Sequence, residues 1–298
     1  MDRPPAIWLL SDGRSGSTWL AQVMNHACQF HVEHEPIHAR LNPRLTSLPL
    51  YPLPSERAVR THYIPLFQDI RAGAYRTHRF PTEPEADASH GLIIRDIFGL
   101  MVAPEMLAAL DWLHPVVAAR HPADVARSKM ALADWKWFTD IESFRADTAL
   151  ITALPDLDTV IDETVTGPLG SPGNGVRDDA ATTYSIAFRR LVLEWIAGHA
   201  WFFARVDRNT VPVIRYPAPQ DRLARQMGDI LRIATPDADT TAPSFAAAYQ
   251  RRSATDRPPD ERSLLRRLMD GRRPAPTPAD LAWTEAMIDR FGLRWLVS

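Results

Sequence analysis

The chain has 298 residues, 45% hydrophobic and 23% charged, with a formal net charge of −2. This is the balance of an ordinary globular protein long enough to bury a substantial core. It gives no bulk electrostatic reason to expect a nucleic acid or an anionic membrane as partner, and no run reaches the roughly 18 apolar residues of a membrane span. A single cysteine, Cys28, excludes an intrachain disulfide framework and reads as a small core residue.

The first element is the apolar run Ile7-Trp8-Leu9-Leu10, bounded by turn-formers, which predicts a buried strand. Gly13, Arg14, Ser15, Gly16, Ser17 and Thr18 follow, and then a helical pattern over 19–26. Strand, Gly/Ser loop and helix N-terminus together make a cradle for phosphate or sulfate. The loop is not the GxxxxGK[ST] of nucleoside-triphosphate P-loops: Ser17 stands where that motif needs Lys, and Arg14 is the loop's cation. Residues 30–32 predict a short strand, with Pro36 ending regular structure at about Glu35. Pro43, Pro49, Pro52, Pro54 and Pro65 exclude a continuous helix over 40–65, leaving a functional loop or short helical turns.

Residues 91–96 read as a second buried strand with a polar C-terminal end, 104–113 as a helix, 115–120 as a strand and 123–130 as a helix. Within 140–178 the pattern predicts a short helix and then a loop, either a lid or a plain surface insertion. A long helix follows over 180–206, with Ile186, Leu191, Trp195 and Phe202 near one face. Residues 211–216 read as a strand that Pro212 puts at an edge or starts late. Helices over 222–234 and 280–291, the latter capped by Gly292, flank a polar, Pro-interrupted stretch over 237–276. The alternation predicts an α/β fold, one domain over 1–298 with a parallel sheet of about four or five strands.

A second motif closes the strand at 120. Arg120-His121-Pro122-Ala123-Asp124 leads into a helix with Ser128 eight residues past Arg120. Arg offers phosphate a planar fork of donors, and Ser128 adds a hydroxyl. Two anion-binding strand ends on one parallel sheet form one crevice. Arg14-Ser15-Gly16-Ser17-Thr18-Trp19-Leu20 together with Arg120 to Ser128 resembles the sulfotransferase family, closest in motif style to its carbohydrate-type and bacterial members. Softer echoes are Glu35-Pro36-Ile37, Ile93-Ile94-Arg95 and Val213-Ile214-Arg215-Tyr216.

The resemblance implies a P-loop-like architecture and the donor 3′-phosphoadenosine 5′-phosphosulfate, without a metal. Arg14, Ser15, Gly16, Ser17 and Thr18 would bind the 5′-phosphosulfate, with Arg14 also stabilising leaving-group charge. Arg120 and Ser128 would bind the 3′-phosphate, with His121 orienting the turn. Carbohydrate-type members place a Glu before Pro after the first helix, which makes Glu35 the first candidate base; Glu33, His34 and His38 are alternatives. Arg95 would contact the sulfonate or acceptor, or pair with Asp96 or another acid. Trp135, Trp137 and Phe138 would line an acceptor pocket or belong to the core. The family's C-terminal Gly-rich basic loop is missing, and Arg251 or Arg252 is the nearest substitute. Pro36 interrupts the helical spacing of His31, His34 and His38, against a metal site there. Golgi-type members carry an N-terminal anchor that this sequence lacks, so the expectation is a cytoplasmic enzyme sulfating a hydroxyl of a small, possibly sugar-bearing acceptor. A P-loop kinase and a non-catalytic nucleotide-binding protein are the competing readings.

Overall fold

The computed structural model describes residues 5–54, 56–76, 91–132, 141–165, 180–235, 239–251 and 275–298. Trp135, Trp137, Phe138, Arg252 and residues 166–178 of the expected lid lie outside the described residues.

Five strands form one sheet: β1 (Ala6–Ser11), β2 (His31–His34), β3 (Leu92–Asp96), β4 (Leu113–Ala119) and β5 (Val213–Arg215), in the order β2-β3-β1-β4-β5. Every adjacent pair is parallel, and helices cover both faces. This is the α/β class expected from the alternation of elements. β1 is central, so its side chains are apolar on both faces rather than alternating. Trp8 and Leu10 pack with Phe67, Met106 and Phe202 on one face. Ile7 and Leu9 pack with Leu20, Val23 and Met227 on the other. Burying each such side chain contributes about 1.5–3 kcal/mol.

Around the sheet lie α1 (Ser17–Met24), α2 (Ile64–Ala72), α3 (Ala103–Ala109), α4 (Pro122–Met130), α5 (Ile141–Ala146), α6 (Thr148–Ala153), α7 (Asp156–Val165), α8 (Ala180–Arg205), α9 (Gln220–Leu231), α10 (Pro243–Gln250), α11 (Pro278–Arg290) and α12 (Arg294–Val297). β1 sends the chain toward the β2 edge, whereas its neighbour β4 sends it toward the β5 edge. The loops after β1 and β4 therefore diverge, and the crevice between them is the sheet's switch point.

Prolines in strands are placed where no donor is missed. Val117 donates to the Pro212 carbonyl across the β4–β5 seam at 3.0 Å. Pro115, two residues earlier, faces the same side before the β5 register begins at Val117. Pro212 likewise precedes β5, the edge strand its presence predicts.

Several expectations change. The helix expected over 104–113 ends at Ala109, because Leu113 is needed to open β4 opposite Ala6. Where one short helix and then loop were expected, 141–165 holds three short helices, with Leu150, Leu154, Leu157, Val160 and Ile161 buried. A helical run does pass through Pro65, from Glu56–Ala58 through a π segment at Val59–Tyr63 into α2. The Ile64 amide reaches the Val59 carbonyl five residues back, and this widened turn makes room for the ring that an ordinary α turn would exclude. Helix α10 lies inside the polar, Pro-interrupted stretch over 237–276. Cys28 is exposed rather than core, in a left-handed turn at φ 54°.

Candidate functional site: an anion loop beside two buried ionic clusters

The loop after β1 is a tight turn held by its first residue. Asp12 Oδ1 accepts the Gly13 amide at 2.6 Å, and its carbonyl accepts the Ser15 amide at 3.3 Å. The chain then passes through two left-handed residues, Arg14 (φ 70°) and Gly16 (φ 84°). A Cβ at Gly16 would stand 3.0 Å from the Tyr216 ring, so position 16 has no room for a side chain. No side chain caps α1. The amides of Ser17, Thr18 and Trp19 thus open the helix without intrahelical acceptors, at the positive end of its dipole. The Ser15 amide, expected to serve the anion, is spent inside the turn instead.

The second motif meets the first. Arg120 Nη1 donates to the Arg14 carbonyl at 3.3 Å, and Arg14 Nε donates to Ser128 Oγ at 3.1 Å. The Arg120 guanidinium lies 5.7 Å from the Tyr216 ring centroid, so the ring that fills the space at Gly16 also carries this arginine. Arg120 Nε and Ser15 Oγ are buried without a hydrogen-bond partner among the described residues. His121 Nε2 lies 2.9 Å from Glu285, which ties the turn before α4 to α11.

Arg95 and Glu35 form the other side. Arg95 Nη1 and Nη2 converge on Glu35 Oε1 at 2.8 and 2.5 Å, and Arg95 Nε donates to Ser17 Oγ at 3.4 Å. Of the two roles open to Arg95, the ion pair is the one observed, with Glu35 as partner. Asp96 is used differently: its carboxylate accepts the amides of Ile37 at 3.1 Å and Phe98 at 2.7 Å. Burial pushes its carboxyl up to about 7. Glu35 sits in a left-handed conformation, φ 48°, its amide bonded to the Arg95 carbonyl at 2.6 Å. Such a conformation costs a non-glycine residue about 1–2 kcal/mol, and it is held here from both ends.

The alternative bases are buried, as Glu35 is. Glu33 is fully buried and bonded to His31 at 2.6 Å and to Arg76 at 3.4 Å. His38 is closed off from solvent, edge-on to Phe98 at 4.9 Å, and offers an acceptor no surface; His34 is also buried. Arg251 is exposed at the end of α10. Among the described residues, no group of three His, Cys, Asp or Glu side chains is arranged to hold a metal ion, and no helix is long and apolar enough to cross a membrane.

Sequence reasoning missed the residues beneath the loop. Lys129 Nζ donates to Asp12 Oδ1 and Oδ2 at 2.7 and 2.8 Å and to Glu194 Oε1 at 2.7 Å. A signal existed: Pro122, Val125, Ala126 and Lys129 recur at the spacing of one helix face, and the face is buried. A lysine on an apolar face requires a buried acid.

A shallow cavity of about 440 Å³ lies elsewhere, between α9 and α10, lined by Gln220, Asp221, Thr240, Thr241 and Phe245. No cationic side chain lines it, so it does not compete with the loop for an anion. The fold is that of an α/β protein in which the two arginine-bearing loops meet at the sheet's switch point. No protein-family model matches the chain, and no curated protein does. Among solved structures, a sulfotransferase from Alicyclobacillus acidocaldarius covers 97% of this chain and 97% of its own, at 15% identity and a TM-score of 0.37. A likeness at that level decides neither the fold nor the chemistry.

Proposed function

We propose that the chain is a sulfotransferase that moves a sulfuryl group from 3′-phosphoadenosine 5′-phosphosulfate to a hydroxyl of a small, sugar-bearing acceptor. One observation carries this reading: the two anion motifs, 106 residues apart between Arg14 and Arg120, meet through Arg14, Arg120 and Ser128. The loop's cation is Arg14, and the chain's lysines are Lys129, buried under the loop, and Lys136, so no lysine takes the place a P-loop kinase needs. The free amides opening α1, the Arg120 Nε unpartnered among the described residues and the close fit at Gly16 suit a doubly anionic nucleotide.

The donor supplies a sulfur centre whose bond to the bridging oxygen breaks as the acceptor oxygen bonds to it. Arg14 and the amides of Ser17, Thr18 and Trp19 stabilise the charge left on the departing phosphate, and positioning does most of the work. Arg120 and Ser128 hold the 3′-phosphate. Glu35 takes the acceptor's proton, and Arg95 holds Glu35 against Ser17 of the loop.

Calorimetric titration of adenosine 3′,5′-bisphosphate without magnesium tests the donor assignment. Wild type is expected to bind, and Arg120→Ala to weaken binding by about 1.5–3 kcal/mol, the scale of a charged hydrogen bond. Binding of ATP with magnesium in place of the bisphosphate would replace this reading with a kinase.

A further inference from the structure

Asp12, Lys129 and Glu194 form a closed ionic cluster under the loop. Lys129 is wholly buried, and Asp12 and Glu194 are nearly so, at 4% and 5% exposed. The Tyr51 hydroxyl faces both carboxylates, and burial drives it well above its ordinary range. His199, also buried, lies near Lys129 and is lowered by burial to about 4. Such a cluster is poor evidence of stability in itself, since an apolar trio of similar volume often serves as well. Its location is what distinguishes it. Ser128 and Lys129 are consecutive residues of α4. Ser128 receives the Arg14 side chain, and Lys129 grips both oxygens of Asp12. The helix therefore holds the loop at its beginning and at its cation. Asp12 in turn makes the two bonds, to the Gly13 and Ser15 amides, that shape the turn.

We propose that Lys129 is a positioning residue for the anion loop: by clamping Asp12 from below, it keeps residues 12–16 in the shape that aims Arg14 and the α1 amides at the ligand. Glu194 has a divided effect. It fixes the ammonium from α8, but it sets two carboxylates against one cation beneath a site meant for anions. Burial pushes the Asp12 carboxyl up to about 6; Lys129 opposes that shift and the Glu194 charge adds to it. Removing the Glu194 charge while keeping an acceptor should therefore favour the anion. A cluster that merely braced the core would predict the opposite sign. The clamp stands on the loop geometry alone; the identity of the anion rests on the function proposed above.

The test compares wild type, Lys129→Met and Glu194→Gln in two ways. Amide exchange without ligand is expected to be at least about tenfold faster at Gly13 and Ser15 in Lys129→Met, with α4 amides unchanged; unaltered exchange at those two amides overturns the clamp. Adenosine 3′,5′-bisphosphate is expected to bind about tenfold more weakly to Lys129→Met and about 3–10-fold more tightly to Glu194→Gln. Weaker binding to Glu194→Gln, in step with lost thermal stability, overturns the proposal and leaves a brace. If Lys129→Met does not fold, the sign of the Glu194→Gln effect decides. A wild type that ignores the bisphosphate but binds inorganic pyrophosphate sinks the donor assignment only, and the affinities are then compared with pyrophosphate. Where Lys129→Met folds, the exchange comparison needs no ligand and judges the clamp on its own.

Discussion

The anion loop sits between two sealed ionic clusters built to opposite rules. On one side a guanidinium meets a carboxylate, Arg95 with Glu35, both bonds converging on one oxygen. On the other an ammonium meets two carboxylates, Lys129 with Asp12 and Glu194. The first holds one carboxylate in a planar fork that does not lose its charge, with the buried Asp96 carboxyl near enough to feel both charges. The second sets two carboxylates against one ammonium among the described residues. The difference assigns the tasks. A forked pair touching Ser17 can hold a carboxylate in a constant place, as a reacting group requires. A compact ammonium between two acids can hold a scaffold, and its charge state follows pH.

Breaking the forked pair at its acid should have the largest effect. With Glu35 as base, Glu35→Gln is expected to lower turnover by about 10²–10⁴-fold, read as release of adenosine 3′,5′-bisphosphate from the donor with a sugar hydroxyl as acceptor. Bisphosphate affinity should stay within about threefold, because the amide oxygen still accepts from Arg95 and the loop is untouched. A turnover loss below about tenfold would move the base elsewhere, with buried His34 the next candidate.

The lysine cluster should reveal itself by titration. Asp12 sits at about 6 folded against an ordinary 3.8, so its contribution to stability is complete below about 3.8 and is lost as pH rises through about 6. His199 runs the other way: lowered from 6.5 to about 4, its contribution is present above 6.5 and is lost as pH falls through about 4. Each is worth about 3 kcal/mol over that window, at about 1.4 kcal/mol per unit, so in wild type the two nearly cancel. Relative to wild type, Asp12→Asn should gain about 3 kcal/mol of stability from pH 4 to pH 7. His199→Gln should gain a similar amount from pH 7 to pH 4. Urea unfolding across this range measures both; curves parallel to wild type would mean that the cluster does not titrate there.

The forked pair and the loop were largely legible in the sequence, and the lysine cluster was not. Strand, glycine-bearing turn and helix N-terminus are neighbours in the chain, so Arg14 to Thr18 and Arg120 to Ser128 could be read as local units, and a parallel sheet brings their ends together. Glu35 was singled out by the family resemblance, as the Glu that precedes Pro36. Arg95 was placed at its strand end but not with its partner, because which acid it meets is decided by the β2–β3 register. Lys129 lies 117 residues from Asp12 and 65 from Glu194, distances at which periodicity shows only that a lysine faces inward. One short helix was expected within 140–178 and three stand over 141–165; the others did not show because each is too short for its apolar spacing to stand out, and their stability comes from packing on α8. Cys28 failed for a backbone reason: a residue in a left-handed turn follows the chain's direction and not its own preference for the core.

The smallest expected effect tests whether the clusters differ in shape as well as in charge count. Arg95→Lys keeps the positive charge but replaces a fork with a point. A lysine ammonium that reaches Glu35 cannot also place a donor where Arg95 Nε meets Ser17 Oγ at 3.4 Å. The expected loss is about 1–2 kcal/mol in urea unfolding, the worth of one or two hydrogen bonds. Much of it should be absent when Ser17→Ala is already in place, because the bond to the loop is then gone in both chains. If Arg95→Lys is as stable as wild type, the fork contributes nothing and the two clusters differ only in how many acids surround the cation. If the loss is present and Ser17→Ala does not reduce it, the fork matters for Glu35 alone, and the acid is held without reference to the loop. Only a loss shared with Ser17 makes Arg95 the link between the anion site and the carboxylate beside it.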